Sequence, residues 1–134
     1  MPRNNRSAGT RTERQVIRKI ASALGLVPYD GKNALSCDVG STRAFSKASD
    51  DMGIDIYFSP KELRDVNIQI KEKSCKGKAL TINAEQLPDL EGLNVLITKL
   101  TRRSQKGRHM SKGMYATMTI EDFLTLLNHY YESR

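Results

Sequence analysis

The sequence predicts an α/β fold of the α+β kind, in which helices flank one central mixed β-sheet. Three observations support this: a helical repeat of apolar residues near the N-terminus, several segments in which apolar and polar residues alternate, and a second helical repeat at the C-terminus. The predicted order of elements is α-β-β-β-α-β-β-α. With 134 residues, the chain has the length of one domain that buries a core of its own.

The first helix is predicted to begin at Thr10. Thr10 and Glu13 have the spacing of a capping box, in which each side chain bonds a backbone N–H of the first turn. Apolar residues then recur at helical spacing up to Gly25, which ends the helix. Residues 1–9 are polar and rich in Arg, so we expect a flexible basic arm there and a single domain over residues 10–134.

The strands are predicted from alternation with a period of two. Residues 53–58 and 66–73 each place apolar side chains on one face and polar ones on the other, and the turn signals between them indicate a hairpin. A short strand over residues 34–39 precedes a polar loop over 40–50. Beyond the hairpin we expect a short helix over 84–90, strands over 94–100 and 115–120, and a closing amphipathic helix over 121–131.

The chain is basic, with 22 Lys and Arg against 15 Asp and Glu, a formal net charge of +7. This surplus favours a nucleic-acid partner. The acids concentrate in the middle, whereas residues 93–114 carry six basic residues and no acid. The alternative is that these flanks are merely solvated loops. No long apolar run or signal-peptide pattern is present, so we expect a cytoplasmic protein without membrane contact.

The cysteines do not suggest a metal site. Cys37 and Cys75 lack the spacing of zinc ligands, and the two histidines lie far from them in the sequence. We therefore expect two structural thiols without a disulfide.

The predicted hairpin brings three polar side chains to one face. If its turn centres on residues 62–63, Asp55 faces Gln69 or Lys71 on the neighbouring strand. A carboxylate and an amide oxygen are ligands for Mg²⁺, and an ammonium beside them could orient or deprotonate a water and offset charge on a phosphate. The alternative is a solvent-facing strand with an ordinary Asp–Lys pair. Spacing alone leaves both interpretations open.

Glu13 is a further candidate, because it shares a helical stripe with the apolar residues of the first helix. It would thus lie at the end of the buried face. A role confined to the capping box explains the same residue equally well.

Together these segments resemble the PD-(D/E)xK nuclease superfamily. The resemblance lies in Gly53-Ile-Asp55-Ile-Tyr-Phe followed by Ile68-Gln69-Ile-Lys71, and in Glu13 on an upstream helix. The segment 79–87 is similar to the one that follows the motif strand in Holliday junction resolvases of the archaeal and phage type. The resemblance implies a restriction-endonuclease-like core and an Mg²⁺-dependent endodeoxyribonuclease, with Mn²⁺ able to substitute.

The resemblance also implies a role for each site residue. Asp55, Gln69, the backbone carbonyl of Ile70 and Glu13 would be metal ligands, and Lys71 would be the catalytic lysine. Gln69 departs from the motif, which usually has Glu or Asp there. Its amide oxygen can still ligate a metal, but one negative charge is lost and weaker Mg²⁺ binding is expected. Asp51 is a further possible ligand, with a loop-capping role as the favoured alternative.

The resemblance extends to a partner, a four-way DNA junction bound by a symmetric homodimer in DNA recombination and repair. In junction resolvases, a loop corresponding to residues 40–50 lies near the scissile phosphate. The candidate DNA contacts are Arg3, Arg6, Arg11, Arg43, Ser46, Lys47, Lys73, Arg102, Arg103 and Arg108. Two alternatives remain: another repair or restriction-type nuclease on the same core, and a DNA-binding protein without catalysis.

Overall fold

The structure of the chain is a computed structural model that describes residues 5–75, 79–103 and 109–133. Its helices are α1 (Asn5–Leu24), α2 (Thr42–Phe45), α3 (Lys47–Asp51) and α4 (Ile120–Glu132). Its strands are β1 (Val39–Ser41), β2 (Ile56–Phe58), β3 (Val66–Ser74), β4 (Leu93–Arg103) and β5 (His109–Thr117). Short 3₁₀ turns lie at Lys61–Leu63 and Ala84–Gln86. The predicted mixture of helices with a mixed sheet is confirmed.

The larger sheet has three strands in the order β3-β4-β5. Strands β3 and β4 are parallel, and their register runs from Val66 opposite Leu93 to Ser74 opposite Thr101. Strands β4 and β5 are antiparallel, with an irregularity between Lys99 and Thr101. Because parallel neighbours cannot be joined by a tight turn, the chain crosses over between β3 and β4. The strands predicted over 66–73 and 94–100 are confirmed.

The predicted hairpin between residues 53–58 and 66–73 is wrong. Strand β2 pairs instead with β1 in a separate antiparallel sheet, whereas the ladder partner of β3 is β4. The segment before β2 still touches β3, because the N–H of Asp55 donates to the carbonyl of Ile68 at 2.8 Å. The connection over residues 59–65 contains the 3₁₀ turn and Pro60, so it is not the tight turn that a regular hairpin ladder requires.

Helix α1 packs its apolar stripe on both sheets. Buried side chains of the helix (Val16, Ile17 and Ala21) form one cluster with β1, β2, β3 and β4. The helix begins at Asn5, so the capping box predicted at Thr10 and Glu13 is wrong. Helical hydrogen bonding extends through residues 5–9 and places both residues inside the helix. The predicted end is confirmed: Gly25 has a φ of +68° and follows the last helical residue.

Three smaller predictions also differ from the structure. Residues 34–36 form a turn, in which the N–H groups of Ser36 and Cys37 donate to the carbonyl of Asn33, so the strand predicted over 34–39 starts only at Val39. The polar loop over 40–50 contains α2 and α3. The helix predicted over 84–90 is limited to the 3₁₀ turn, because Leu87 precedes Pro88 and is extended there.

The last strand and helix differ from prediction mainly in their bounds. Strand β5 ends at Thr117, three residues before the end predicted for the strand over 115–120. Helix α4 begins after Thr119, whose side chain accepts a hydrogen bond from the N–H of Asp122 at 3.2 Å. Within the described ranges no helix is long and apolar enough to span a bilayer. Cys37 is buried, Cys75 is half-buried, and they form no disulfide.

Candidate active site

Asp55 is the best-anchored residue of the candidate site. It precedes β2, and its backbone carbonyl accepts from the N–H of Thr42 at 3.1 Å. Its carboxylate oxygen Oδ2 accepts from the N–H of Ile70 at 2.7 Å. Together with the bond from its own N–H to Ile68, these contacts fix Asp55 between α2 and β3. The carboxylate is therefore held against the middle of β3 by backbone groups that cannot rotate away.

Gln69 and Lys71 lie next to this carboxylate on β3. Gly53 has a φ of +81°, and a Cβ atom built there would lie 3.4 Å from Nε2 and 3.8 Å from Oε1 of Gln69. The half-buried Gln69 side chain thus lies along the turn that leads into Asp55. Lys71 is exposed, and its positive charge lowers the pKa of Asp55. The structure therefore brings Asp55, Gln69 and Lys71 together, although β2 and β3 form no ladder.

Glu13 reaches the same region from α1. Only 14% of its side chain is exposed, and it forms an ion pair with Arg43 of α2. Nη2 of Arg43 also donates to the hydroxyl of Thr10 at 3.2 Å. Arg43 was predicted from the sequence to contact a phosphate of the DNA. In the structure its guanidinium forms an ion pair with the candidate metal ligand Glu13, and so it occupies a position from which a cation neutralises that carboxylate.

The negative charges of Asp50 and Asp55 act on Glu13, and that of Asp50 also acts on Asp55. Burial is the main cause that raises the pKa of Glu13, and the charges of Asp55 and Asp50 add to it against the opposing effect of Arg43. Burial is also the main cause that raises the pKa of Asp55. The Ile70 N–H and the charges of Lys71 and Arg43 oppose that rise, whereas Asp50 adds to it. The ionised forms of Glu13 and Asp55 are therefore unfavourable in this region, and a further cation would stabilise them.

From the sequence, Asp51 was considered as a possible metal ligand and Asp50 was not. Asp51 ends α3 and is exposed. Asp50 is half-buried, and the hydroxyl of Thr42 contacts one of its carboxylate oxygens at 3.5 Å. Which of two adjacent acids turns inward depends on where α3 begins, and Ser46 sets that start by accepting a hydrogen bond from the N–H of Ser49. The helix-capping residue Ser46 and the acid four residues after it, Asp50, are the sequence features from which this orientation could have been predicted.

The donor set has the chemistry that Mg²⁺ uses. Within the described residues, no three His, Cys, Asp or Glu side chains are grouped so that they could hold one metal ion. The candidate ligands are instead two carboxylates, Glu13 and Asp55, with the neutral oxygens of Gln69 and of the Ile70 carbonyl. Mg²⁺ is commonly bound through one or two carboxylates and retains several waters, so a set of this size fits the ion.

A polar network beside the site was also missed. The hydroxyl of Thr12 donates to Glu72 at 3.1 Å, and the ammonium of Lys99 donates to Gln15 at 2.7 Å and lies 4.0 Å from Glu72. Glu72 and Lys99 are partners in the parallel register of β3 and β4. Lys99 was counted in the basic stretch, but 9% of its side chain is exposed, so it is a structural residue.

The remaining DNA-contact predictions fall into three groups. Arg11, Lys47 and Arg102 are exposed. Ser46 caps α3, and Lys73 donates to the carbonyl of Thr81 at 2.7 Å, so both already have an intramolecular role. Outside the described part of the chain lie Arg3 and Arg108 and the side chains of Arg6 and Arg103.

A cleft of about 680 Å³ lies between α1 and the β1–α2 segment. Glu13 and Arg43 line it together with Arg14, Arg18 and Tyr29. Arg14 and Arg18 were not among the predicted DNA contacts. The cleft therefore places Glu13 of the candidate site beside a basic wall.

Comparisons with known proteins provide no further assignment. No protein-family model matches the chain, and no curated protein or solved structure is significantly similar to it.

Proposed function

We propose that this protein is an Mg²⁺-dependent DNA endonuclease with a restriction-endonuclease-like core, acting as a homodimer on branched DNA such as a four-way junction. One observation carries the proposal: the half-buried carboxylate of Asp55 is held by the N–H of Ile70, between the motif residues Gln69 and Lys71 on β3. Glu13 lies close enough for its pKa to respond to the charge of Asp55. Apart from Gln69, which stands where the PD-(D/E)xK motif usually has an acid, these are the groups that the motif combines.

The chemistry is hydrolysis of a phosphodiester, in which a water oxygen forms a bond to phosphorus and the bond to one ester oxygen breaks. Mg²⁺ bound by Asp55, Glu13 and Gln69 would supply positive charge to the phosphate and acidify a coordinated water. Asp55 is pre-positioned by its backbone bonds. Lys71 is exposed, so its ammonium is free to face the phosphate, orient the attacking water and offset charge that develops on the phosphate oxygens.

DNA is the polyanion that the charges favour. The chain carries a net charge of +7, and Arg14, Arg18 and Arg43 line the cleft that leads to Glu13. Arginine on a cleft wall contacts phosphate without reading base sequence, which suits a substrate recognised by its shape. A four-way junction presents two equivalent strands to cut, and a twofold-symmetric protein would set one site against each. The homodimer and the junction therefore form one proposal.

The test compares a labelled four-way junction with linear duplexes of the same arm sequences, with Mg²⁺ and with EDTA. We expect Mg²⁺-dependent cleavage of the junction well above that of the duplex. Asp55→Asn should abolish it, because an anionic ligand is lost while the size of the side chain is kept. The matched control is Asp51→Asn, which removes the same charge from an exposed position four residues away and should cleave normally.

Each outcome has a distinct meaning. Equal cleavage of duplex and junction would retain the nuclease and refute the junction as substrate. Junction binding without any cleavage in Mg²⁺ or Mn²⁺ would indicate a DNA-binding protein without catalysis, the alternative that Gln69 in the motif leaves open. Normal cleavage by Asp55→Asn would place the active site elsewhere.

A further inference from the structure

Helix α4 presents an apolar surface that the described fold does not cover. None of its residues is buried. Its large apolar side chains are between 39% and 79% exposed: Ile120, Phe123, Leu124, Leu126, Leu127, Tyr130 and Tyr131. Most amphipathic helices turn such residues toward the core. This helix is tied to the sheet in its first turn, where Asp122 accepts a hydrogen bond from the N–H of Asn94 at 3.1 Å.

The exposed residues form one stripe. Positions 120, 123, 124, 127, 130 and 131 have the spacing of three and four that places side chains on a single face of a helix. The polar residues at 121, 122, 125, 128, 129 and 132 occupy the other side. The stripe is therefore organised to bury one continuous surface.

The size of this surface matches a protein interface. The six large apolar side chains of the stripe and Leu126 at its edge, which are between 39% and 79% exposed, offer on the order of 700 Å². The largest apolar patch on a typical monomer is about 300–600 Å², and a standard interface buries about 800 Å² on each partner. The stripe therefore exceeds what a monomer usually exposes and provides most of what one half of a stable dimer needs.

The charge of α4 excludes two other occupants. The helix has Glu121, Asp122 and Glu132 but no Lys or Arg, in a chain whose net charge is +7. Phosphate backbones and anionic lipid surfaces are attracted by basic residues, which this helix lacks. A protein surface that is itself apolar is the occupant that remains.

We propose that α4 is the surface through which two copies of this chain associate, packed antiparallel about a twofold axis near Leu127. That axis would place Leu124 against Tyr130 of the second copy and Phe123 against Tyr131 of the second copy. A twofold interface uses the same patch twice, so a stripe that is apolar on both sides of its midpoint complements itself. The acids lie away from the stripe and would stay in water. The inference that this interface pairs two nuclease sites rests on the proposed function. The inference that two copies associate through it rests on α4 alone.

The experiment measures the mass of the full chain by sedimentation velocity from about 1 to 100 µM. We expect a species of twice the 15.1 kDa chain. Leu127→Glu should raise the dissociation constant at least about tenfold, because a charge would be buried at the centre of the interface. Thr125→Glu is the matched control, since it adds the same charge on the polar side of the same helix and should leave the dimer intact.

Circular dichroism and urea unfolding report whether each variant folds, and Leu127→Ser serves as a milder second variant. A monomeric wild type across this range, or a dimer that Leu127→Glu leaves unchanged, would overturn the proposal. So would unfolding of both Leu127 variants, because the stripe would then pack within one protomer. The cleavage assay separates the two proposals: a dimer that does not cleave junctions refutes only the nuclease, whereas a monomer that cleaves refutes the interface and the homodimer but retains the nuclease.

Discussion

At the scale of single residues, Asp55 and Glu13 are unfavourable to the fold when they are ionised. Burial is the leading cause that raises both pKa values. A carboxyl group whose pKa is higher in the folded state adds stability at low pH, and this is lost as pH rises through the folded pKa. In the metal-free protein at neutral pH, these two residues therefore lower the stability of the fold. Ionisable residues whose pKa values are perturbed in this way by burial are candidates for functional residues.

Arg43 partly offsets this cost, and the first prediction concerns it. Because its guanidinium neutralises Glu13, it competes with any cation that the carboxylate would bind. Arg43→Gln should strengthen Mg²⁺ binding by about two- to fivefold, the range for a partly exposed ion pair. It should also slow cleavage at saturating Mg²⁺, because the phosphate contact predicted for Arg43 is lost.

Titration calorimetry without DNA measures the first effect, and single-turnover cleavage measures the second. Arg11→Gln is the control for calorimetry, since it removes an equal charge from an exposed position on α1. An Mg²⁺ affinity that does not change in Arg43→Gln would show that Arg43 and the metal do not share Glu13.

The site was only partly predictable from single residues. The proximity of Asp55, Gln69 and Lys71 could be predicted, because it depends on local features of the sequence. These features are the alternation along β3 and the short connection before it. The pair between Glu13 and Arg43 spans 30 residues and joins two helices, one of which was predicted as a loop. No local pattern could reveal it. Whether Asp50 or Asp51 turns inward likewise depends on the start of α3.

At the scale of elements, long periodic segments were predictable and short ones were not. Strands β3 and β4 and helices α1 and α4 each have enough repeats to define a face. Strands β1 and β2 have three residues each, and their pairing is set by tertiary contacts. The parallel partner of β3 also lies 27 residues away along the chain, beyond a crossover that the predicted hairpin did not include.

The second prediction concerns the polar network that joins three elements. Lys99→Met removes the ammonium that lies 4.0 Å from Glu72, whose side chain is only 13% exposed. We expect a loss of about 3–5 kcal/mol in the free energy of unfolding, as for other broken buried pairs. Denaturant unfolding at pH 7 measures it.

The matched control is Lys71→Met, two residues from Glu72 on β3 but exposed, which should change stability by less than about 0.5 kcal/mol. The double variant Lys99→Met with Glu72→Met should recover much of the loss, because both charges of the pair are then removed. Equal effects of the two lysine substitutions would show that the network does not stabilise the contact between α1 and the sheet.

At the scale of the whole molecule, charge and apolar surface are separated. Basic residues line the cleft beside α1, and the apolar stripe belongs to an acidic helix at the end of the chain. The sequence predicted the class of fold and the basic character. It did not predict that the strands divide into two sheets, because edge contacts such as that between Asp55 and β3 replace the ladder which alternation alone implied.

The central claim is that Asp55 and Glu13 hold a divalent cation, and titration calorimetry with Mg²⁺ at several pH values tests it most directly. The wild type should bind Mg²⁺, with an affinity that falls as pH drops through the raised carboxyl pKa values, because the ligands must lose their protons. This fall should begin above the pKa values of about 3.9 and about 4.3 that Asp and Glu side chains ordinarily have. Asp55→Asn should abolish binding, and Asp51→Asn should retain it. Equal Mg²⁺ binding by the wild type and Asp55→Asn would contradict the account.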